Sequence, residues 1–257
     1  MKNLCKATFY RMYKSAGVRA AFLLMLFAAA GYYVLAHQVA AGGLAKESAG
    51  TVTALGDAML LWICAPLFAG LLVGSDFEHK TIHGAIGWGR GRILLQYLLV
   101  FTAGVVLLLL PYLAGSVICL LAGVDMTGAE AVSVSVCLDN VLYGSSYGIG
   151  KLLLSYITFV IVCIGQLSIC IPVALKVKKP VIVTAFGFFF GMITALLTSL
   201  ASESKIGDTI YRLTPYAYRV SAENSISRLL SGILVSIIFT GLMGGIAWLL
   251  FRRTEIK

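Results

Sequence analysis

His79 and His83 lie four residues apart, which would put both imidazoles on one helical face, a spacing that can hold zinc. A zinc protease would need Glu after the first histidine, and Lys80 stands there, with no third ligand evident. Gly144-Ser-Ser-Tyr-Gly-Ile-Gly-Lys151 imitates a phosphate-binding loop. With Gly150-Lys151 in register, however, the first required glycine falls on Ser145, and Leu152 replaces the magnesium-binding hydroxyl. This stretch therefore reads as a loop running into a helix. The six cysteines (Cys5, Cys64, Cys119, Cys137, Cys163 and Cys170) fall mostly in apolar runs and form no C-x-x-C pair. They read as small packing residues rather than disulfides or metal ligands. No apolar run carries a histidine or a carboxylate pair near its middle, and Asp57 sits at a boundary. That pattern argues against intramembrane hydrolysis and proton-coupled transport, which need ionisable groups at depth. Gln166 is the deepest notable polar side chain and is expected to hydrogen-bond across helices. The sequence predicts no catalytic residues, no metal and no cofactor.

The composition explains why soluble chemistry is so sparse. Of 257 residues, 60% are apolar and 12% charged, and the mean hydropathy is +0.94. A soluble domain runs at roughly 45–50% apolar and about 25% charged. A soluble enzyme, a disordered tail and a nucleic-acid-binding module are all excluded, and a polytopic membrane protein is implied. Its spans and loops use up the chain and leave no room for a separate ATPase domain.

Six runs have spanning length, roughly 17–36, 57–74, 93–123, 149–175, 181–200 and 229–251. Pro111 is expected to kink or bend the third. Gly165, Gln166 and Pro172 point to a broken helix in the fourth. The first reads as an uncleaved span, because its basic lead-in is long and amphipathic. Fourteen of the 20 Lys and Arg residues fall on the side that carries both termini, and eight of the 11 acids on the other. The positive-inside rule then places both termini in the cytoplasm. The net charge of +9 follows from the same rule and not from nucleic-acid binding.

Residues 1–16 suit a helix lying in the cytoplasmic interface. Leu4, Cys5, Phe9 and Met12 share a face there, with Tyr13 beside them and Lys2, Lys6, Arg11 and Lys14 around the rest. Gly70/Gly74, Gly187/Gly191 and Gly241/Gly245 are small-x-x-x-small pairs, each of which predicts a close helix contact. Phe186, Phe188, Phe189 and Phe190 are expected to face lipid. The outer loop, 201–226, carries Tyr211, Pro215, Tyr216 and Tyr218, and reads as an interfacial anchor or a re-entrant turn before the last span.

The cytoplasmic loop 75–92 is the densest in charge. Asp76 and Glu78 precede Lys80, Phe77, Ile82 and Ile86 give a partly apolar side, and glycines at 84, 87, 89 and 91 interrupt it. Its D-F-E-x-x-T-I pattern after the second span resembles the permease subunits of ABC-2 type ABC exporters. The basic interfacial helix, the six spans, the basic tail 251–257 and Leu213-Thr-Pro-Tyr216 are similar as well. The resemblance implies one ABC-2 type transmembrane domain over 1–257: an all-α membrane protein of six transmembrane helices in the plasma membrane. It also implies a coupling helix that docks on a separate ABC ATPase, with Asp76, Phe77, Glu78, Thr81 and Ile82 as docking residues. A second permease chain, identical or different, completes the assembly in the lipid bilayer. The implied function is ATP-driven export of an apolar or amphipathic substrate such as a drug, peptide or lipid, with ATP hydrolysis on the partner. The alternatives are a non-transporting sensor or immunity subunit and an ATP-independent carrier or channel.

Overall fold

The computed structural model describes residues 2–43, 56–78, 89–122, 149–201, 209–218 and 225–253. Every regular element among them is helical: α1 (Lys2–Lys14), α2 (Ala16–Ala40), α3 (Asp57–Glu78), α4 (Arg90–Leu121), α5 (Ile149–Leu167), α6 (Cys170–Val177), α7 (Pro180–Ala201) and α8 (Ile226–Arg253). A 3₁₀ turn, Pro215–Ala217, precedes α8. Five stretches among the described residues are long and apolar enough to cross a membrane: Ala16–Gln38, Met59–Glu78, Arg90–Cys119, Leu153–Val177 and Ile226–Arg253. Pro180–Thr194 in α7 is a shorter apolar stretch. The chain is thus all-helical over the described residues, with the make-up of a multi-pass membrane protein.

The fourth stretch is broken as its composition suggests. Pro172 has no N–H to give the carbonyl of Ser168, and its ring crowds that carbonyl. The helix stops at Leu167 and restarts at Cys170. Tighter bonds bridge the gap, Ser168 N–H to Gly165 O and Ile171 N–H to Ser168 O, and the Ser168 hydroxyl donates to Gly165 O at 2.7 Å. Pro111, by contrast, lies inside one continuous helix. Neighbours hold the chain in place there: Tyr112 is buried, and Tyr33 of α2 donates its hydroxyl to the Tyr112 carbonyl at 2.7 Å. Such bracing lets membrane helices carry proline.

Helix α3 is the centre of the bundle, packed against α2, α4, α6 and α7. Its contact with α7 is the closest. A Cβ on Gly187 would meet the Pro66 ring at 2.1 Å, and one on Gly191 would meet the Trp62 ring at 2.7 Å. Along the same helix, Gly70 and Gly74 receive a turn instead of a helix. Cβ atoms there would come within 2.7 Å of Pro180 Cα and 2.9 Å of Lys178 O. These four contacts show that α7 runs antiparallel to α3. Gly241 and Gly245 of α8 face open space.

Ser15 alone interrupts the passage from α1 to α2. Thr8 and Met12 of α1 are buried, whereas Phe9, Tyr10 and Tyr13 are exposed. Phe9 and Met12 therefore do not share a face, as hydrophobicity alone suggests. The buried face runs Thr8, Arg11, Met12, Ser15, and the exposed one runs Lys6, Phe9, Tyr10, Tyr13; both follow helical spacing. At the α1 end of the bundle, Arg90 donates to the Arg252 carbonyl, which joins the start of α4 to the end of α8.

Candidate functional site

The end of α3 holds the first three residues of the D-F-E pattern. Asp76 falls in the last turn of the helix, where the negative end of the helix dipole disfavours a carboxylate. It is nevertheless only 8% exposed. Two donors offset that cost. The Arg11 guanidinium of α1 pairs with Oδ1, and the Tyr97 hydroxyl of α4 donates to Oδ2 at 2.8 Å. The hydrogen bond to Asp76 raises the Arg11 pKa above its ordinary value, so the pair stays ionised on the arginine side. One helical turn from Arg11, Thr8 accepts a hydrogen bond from the Gln96 amide of α4. Thr8 and Arg11 thus fasten one face of α1 to the start of α4 and the end of α3. Removing either side of a buried, hydrogen-bonded group of this kind costs roughly 1–3 kcal/mol.

Phe77, half-buried, faces another element. The Lys178 ammonium lies 4.1 Å from its ring centroid, a cation–π contact worth roughly 0.5–1 kcal/mol where water still reaches it. Lys178 ends α6 in the left-handed conformation, φ 60°, with its N–H on the Ala174 carbonyl at 2.9 Å. This backbone state is uncommon for a residue with a side chain. The Lys178–Pro180 turn that presents it is the one seated on Gly70 and Gly74. Glu78, the last residue of α3, is exposed.

The structure therefore separates the implied docking residues. Asp76 is turned into the chain, Phe77 lies against the α6–α7 turn, and Glu78 faces out. Thr81 and Ile82 lie outside the described residues, as do His79 and His83. The sequence reading missed Arg11, Tyr97, Thr8, Gln96 and Lys178 as members of this node. A signal existed for one of them. Gln96 is the one amide in an otherwise apolar run.

A second cluster occupies the opposite half of the bundle. Gln166 of α5 donates its amide to the Pro215 carbonyl at 3.0 Å, and the Tyr216 hydroxyl donates back to the Gln166 carbonyl at 2.9 Å. The cross-link expected of Gln166 is thus made to the segment before α8 and not to another spanning helix. The Tyr216 ring lies among Trp62 of α3, Phe190 of α7 and Phe239 of α8, with centroids 6.3, 5.6 and 5.7 Å away. Phe186 stacks on Phe190 at 5.6 Å, while Phe189 is exposed, so the phenylalanine run divides between cluster and surface. Residues 214–218 pack into the bundle as a wedge with Pro215 buried, while Ile210 and Leu213 stay exposed, and the Tyr211 hydroxyl on the Tyr216 carbonyl holds the wedge further.

No group of three or more His, Cys, Asp or Glu that could hold a metal occurs among the described residues. Gly150 and Lys151 stand in the first turn of α5. The chain matches no family model and no curated protein. The functional reading therefore rests on the geometry of the two clusters that α3 connects.

Proposed function

We propose that the chain is the transmembrane subunit of an ABC-2 type ABC exporter. It has no ATPase site of its own, and works with a second permease chain and separate ABC ATPases in the plasma membrane. It crosses the membrane six times, with α7 as the fifth crossing and both termini in the cytoplasm. The 22 residues of α7 reach about 33 Å at 1.5 Å per residue, enough for a core of roughly 30 Å. Support for the orientation comes from the cations gathered at the α1 end: Lys6, Arg11, Lys14, Arg90, Arg92, Lys178, Arg252 and Arg253.

The observation that carries the reading is how the end of α3 is fastened. Asp76 joins it to α1 and α4, and Phe77 joins it to the α6–α7 turn. A partner that engages Glu78 and residues 79–88 acts on a node shared by most of the bundle. ATP drives transport only by favouring one helix arrangement over another, and such a node is where that preference enters the chain. Asp76 and Phe77 then transmit, while Glu78, Thr81 and Ile82 contact the ATPase. Apolar spans suit an apolar or amphipathic cargo.

The test is co-expression of the tagged chain with the ABC ATPase encoded beside it, followed by purification in mild detergent. Co-elution at fixed stoichiometry is expected, with Glu78→Arg releasing the ATPase while the permease stays folded. A stable chain that never retains an ATPase would overturn the reading.

A further inference from the structure

The outward face of α1 and the flank of α4 enclose an apolar groove of about 520 Å³. From α1 it takes Phe9, Tyr10 and Tyr13, the last two 60% and 64% exposed, with Lys6 at one edge. Its floor is Leu99 and Ala103 of α4 over the buried Val100. The Arg11–Asp76 and Thr8–Gln96 contacts lock the opposite face of α1 to the bundle, so this aromatic face cannot roll inward. We propose that the groove holds one acyl chain of an anionic phospholipid, with the lipid phosphate on Lys6.

Three observations support that occupant. First, depth: α4 has 32 residues, about 48 Å of helix, against a hydrocarbon core of roughly 30 Å. Centred on that core, it overhangs by about six residues at each end, so Leu99 lies about 5 Å and Ala103 about 10 Å inside the boundary, at acyl-chain depth. Second, shape and chemistry: apart from Lys6, the lining is wholly apolar or aromatic, and tyrosines at this level suit the membrane–water interface. Third, charge: Lys6 is the one charged residue in the lining, and the Lys14 ammonium lies 5.2 Å from the ring centroid of Tyr10, another lining residue. Helix α1 has no acid, and besides Arg11, which Asp76 already pairs, it carries three lysines, a charge that attracts a phosphodiester and repels a cationic ligand. A lipid seated here would wedge α1 beside the Arg11–Asp76 pair and make the position of that helix depend on the leaflet. The proposal rests on membrane residence and not on the exporter reading, so it survives if no ATPase binds.

The experiment is native mass spectrometry of the full purified chain, equilibrated with dioleoyl phosphatidylglycerol or dioleoyl phosphatidylcholine. Wild type is expected to retain one phosphatidylglycerol per chain in preference to phosphatidylcholine. Lys6→Glu should lower phosphatidylglycerol retention about fivefold. Ala103→Trp should fill the groove and remove both adducts, whereas Leu110→Trp, on the exposed side of the same helix, should keep them. Circular dichroism checks that each variant is folded; if Ala103→Trp is not, the Lys6→Glu result alone decides. Equal retention by wild type and Lys6→Glu would overturn the proposal. So would a chain dimer abolished by Ala103→Trp, which would make a second copy the occupant.

Discussion

The two clusters on α3 lie about 21 Å apart, fourteen residues along one helix from Trp62 to Asp76, and they are built from opposite materials. The Asp76 node is ionic, and its Arg11 partner is one-third exposed. The Tyr216 cluster is neutral and aromatic, with a reciprocal amide–hydroxyl clamp at Gln166. An ionic joint near water can be loosened by ions or by a competing charge. An aromatic wedge offers no charge for ions to screen and yields only if rings move apart. One end of α3 is therefore held by charge and the other plugged by ring packing.

The contrast can be broken most severely at the plug. Tyr216→Ala should cost about 3 kcal/mol through the void it leaves, and thermal unfolding in detergent should show the loss unchanged between low and high salt. Tyr216→Phe, which keeps the ring and removes only the bond to Gln166, should cost about 1 kcal/mol. At the ionic node, Asp76→Ala should cost about 2 kcal/mol. A double-mutant cycle with Arg11→Ala should give a coupling of at least about 0.5 kcal/mol that shrinks as salt rises. A coupling indifferent to salt would erase the distinction between the ends. Lys178→Met, which keeps the apolar stem and removes the ammonium from Phe77, should cost roughly 0.5–1 kcal/mol by the same melts. Smallest of all, Gly241→Leu should stay within about 0.5 kcal/mol of wild type because nothing faces that position. The same change at Gly187 should be strongly destabilising because of Pro66.

Much of the helical frame was legible in the sequence, because apolar runs bounded by charge set helix ends locally. The run beginning at Asp57 and the run beginning at Ile149 start where α3 and α5 start, and 181–200 lies within α7. The break near Pro172 was legible for the same local reason. Pro111 does not end α4, and what braces the helix there comes partly from α2, which no local pattern announces. The glycine pairs were legible as close contacts but not as to partner: one receives a helix, one a turn, and one faces open space. The ionic node was the least visible part. Arg11 and Asp76 are 65 residues apart and Thr8 and Gln96 are 88 apart, beyond any periodicity. Composition marks Met12 as apolar and Arg11 as solvated, whereas burial of the arginine is decided by a carboxylate on another helix.

The same spacing has a consequence for biogenesis. Chains emerge from the N-terminus at roughly 5–20 residues per second, so α1 is made and waits at the membrane surface before Asp76 exists. The ion pair can close only after α2 has crossed and α3 has returned, and Thr8 finds Gln96 only when α4 begins to insert. Until then, Arg11 is an unmated cation displayed on an accessible helix. Closure of the pair thus reports that α2 and α3 have both been placed, with α1 and the end of α3 brought to one side.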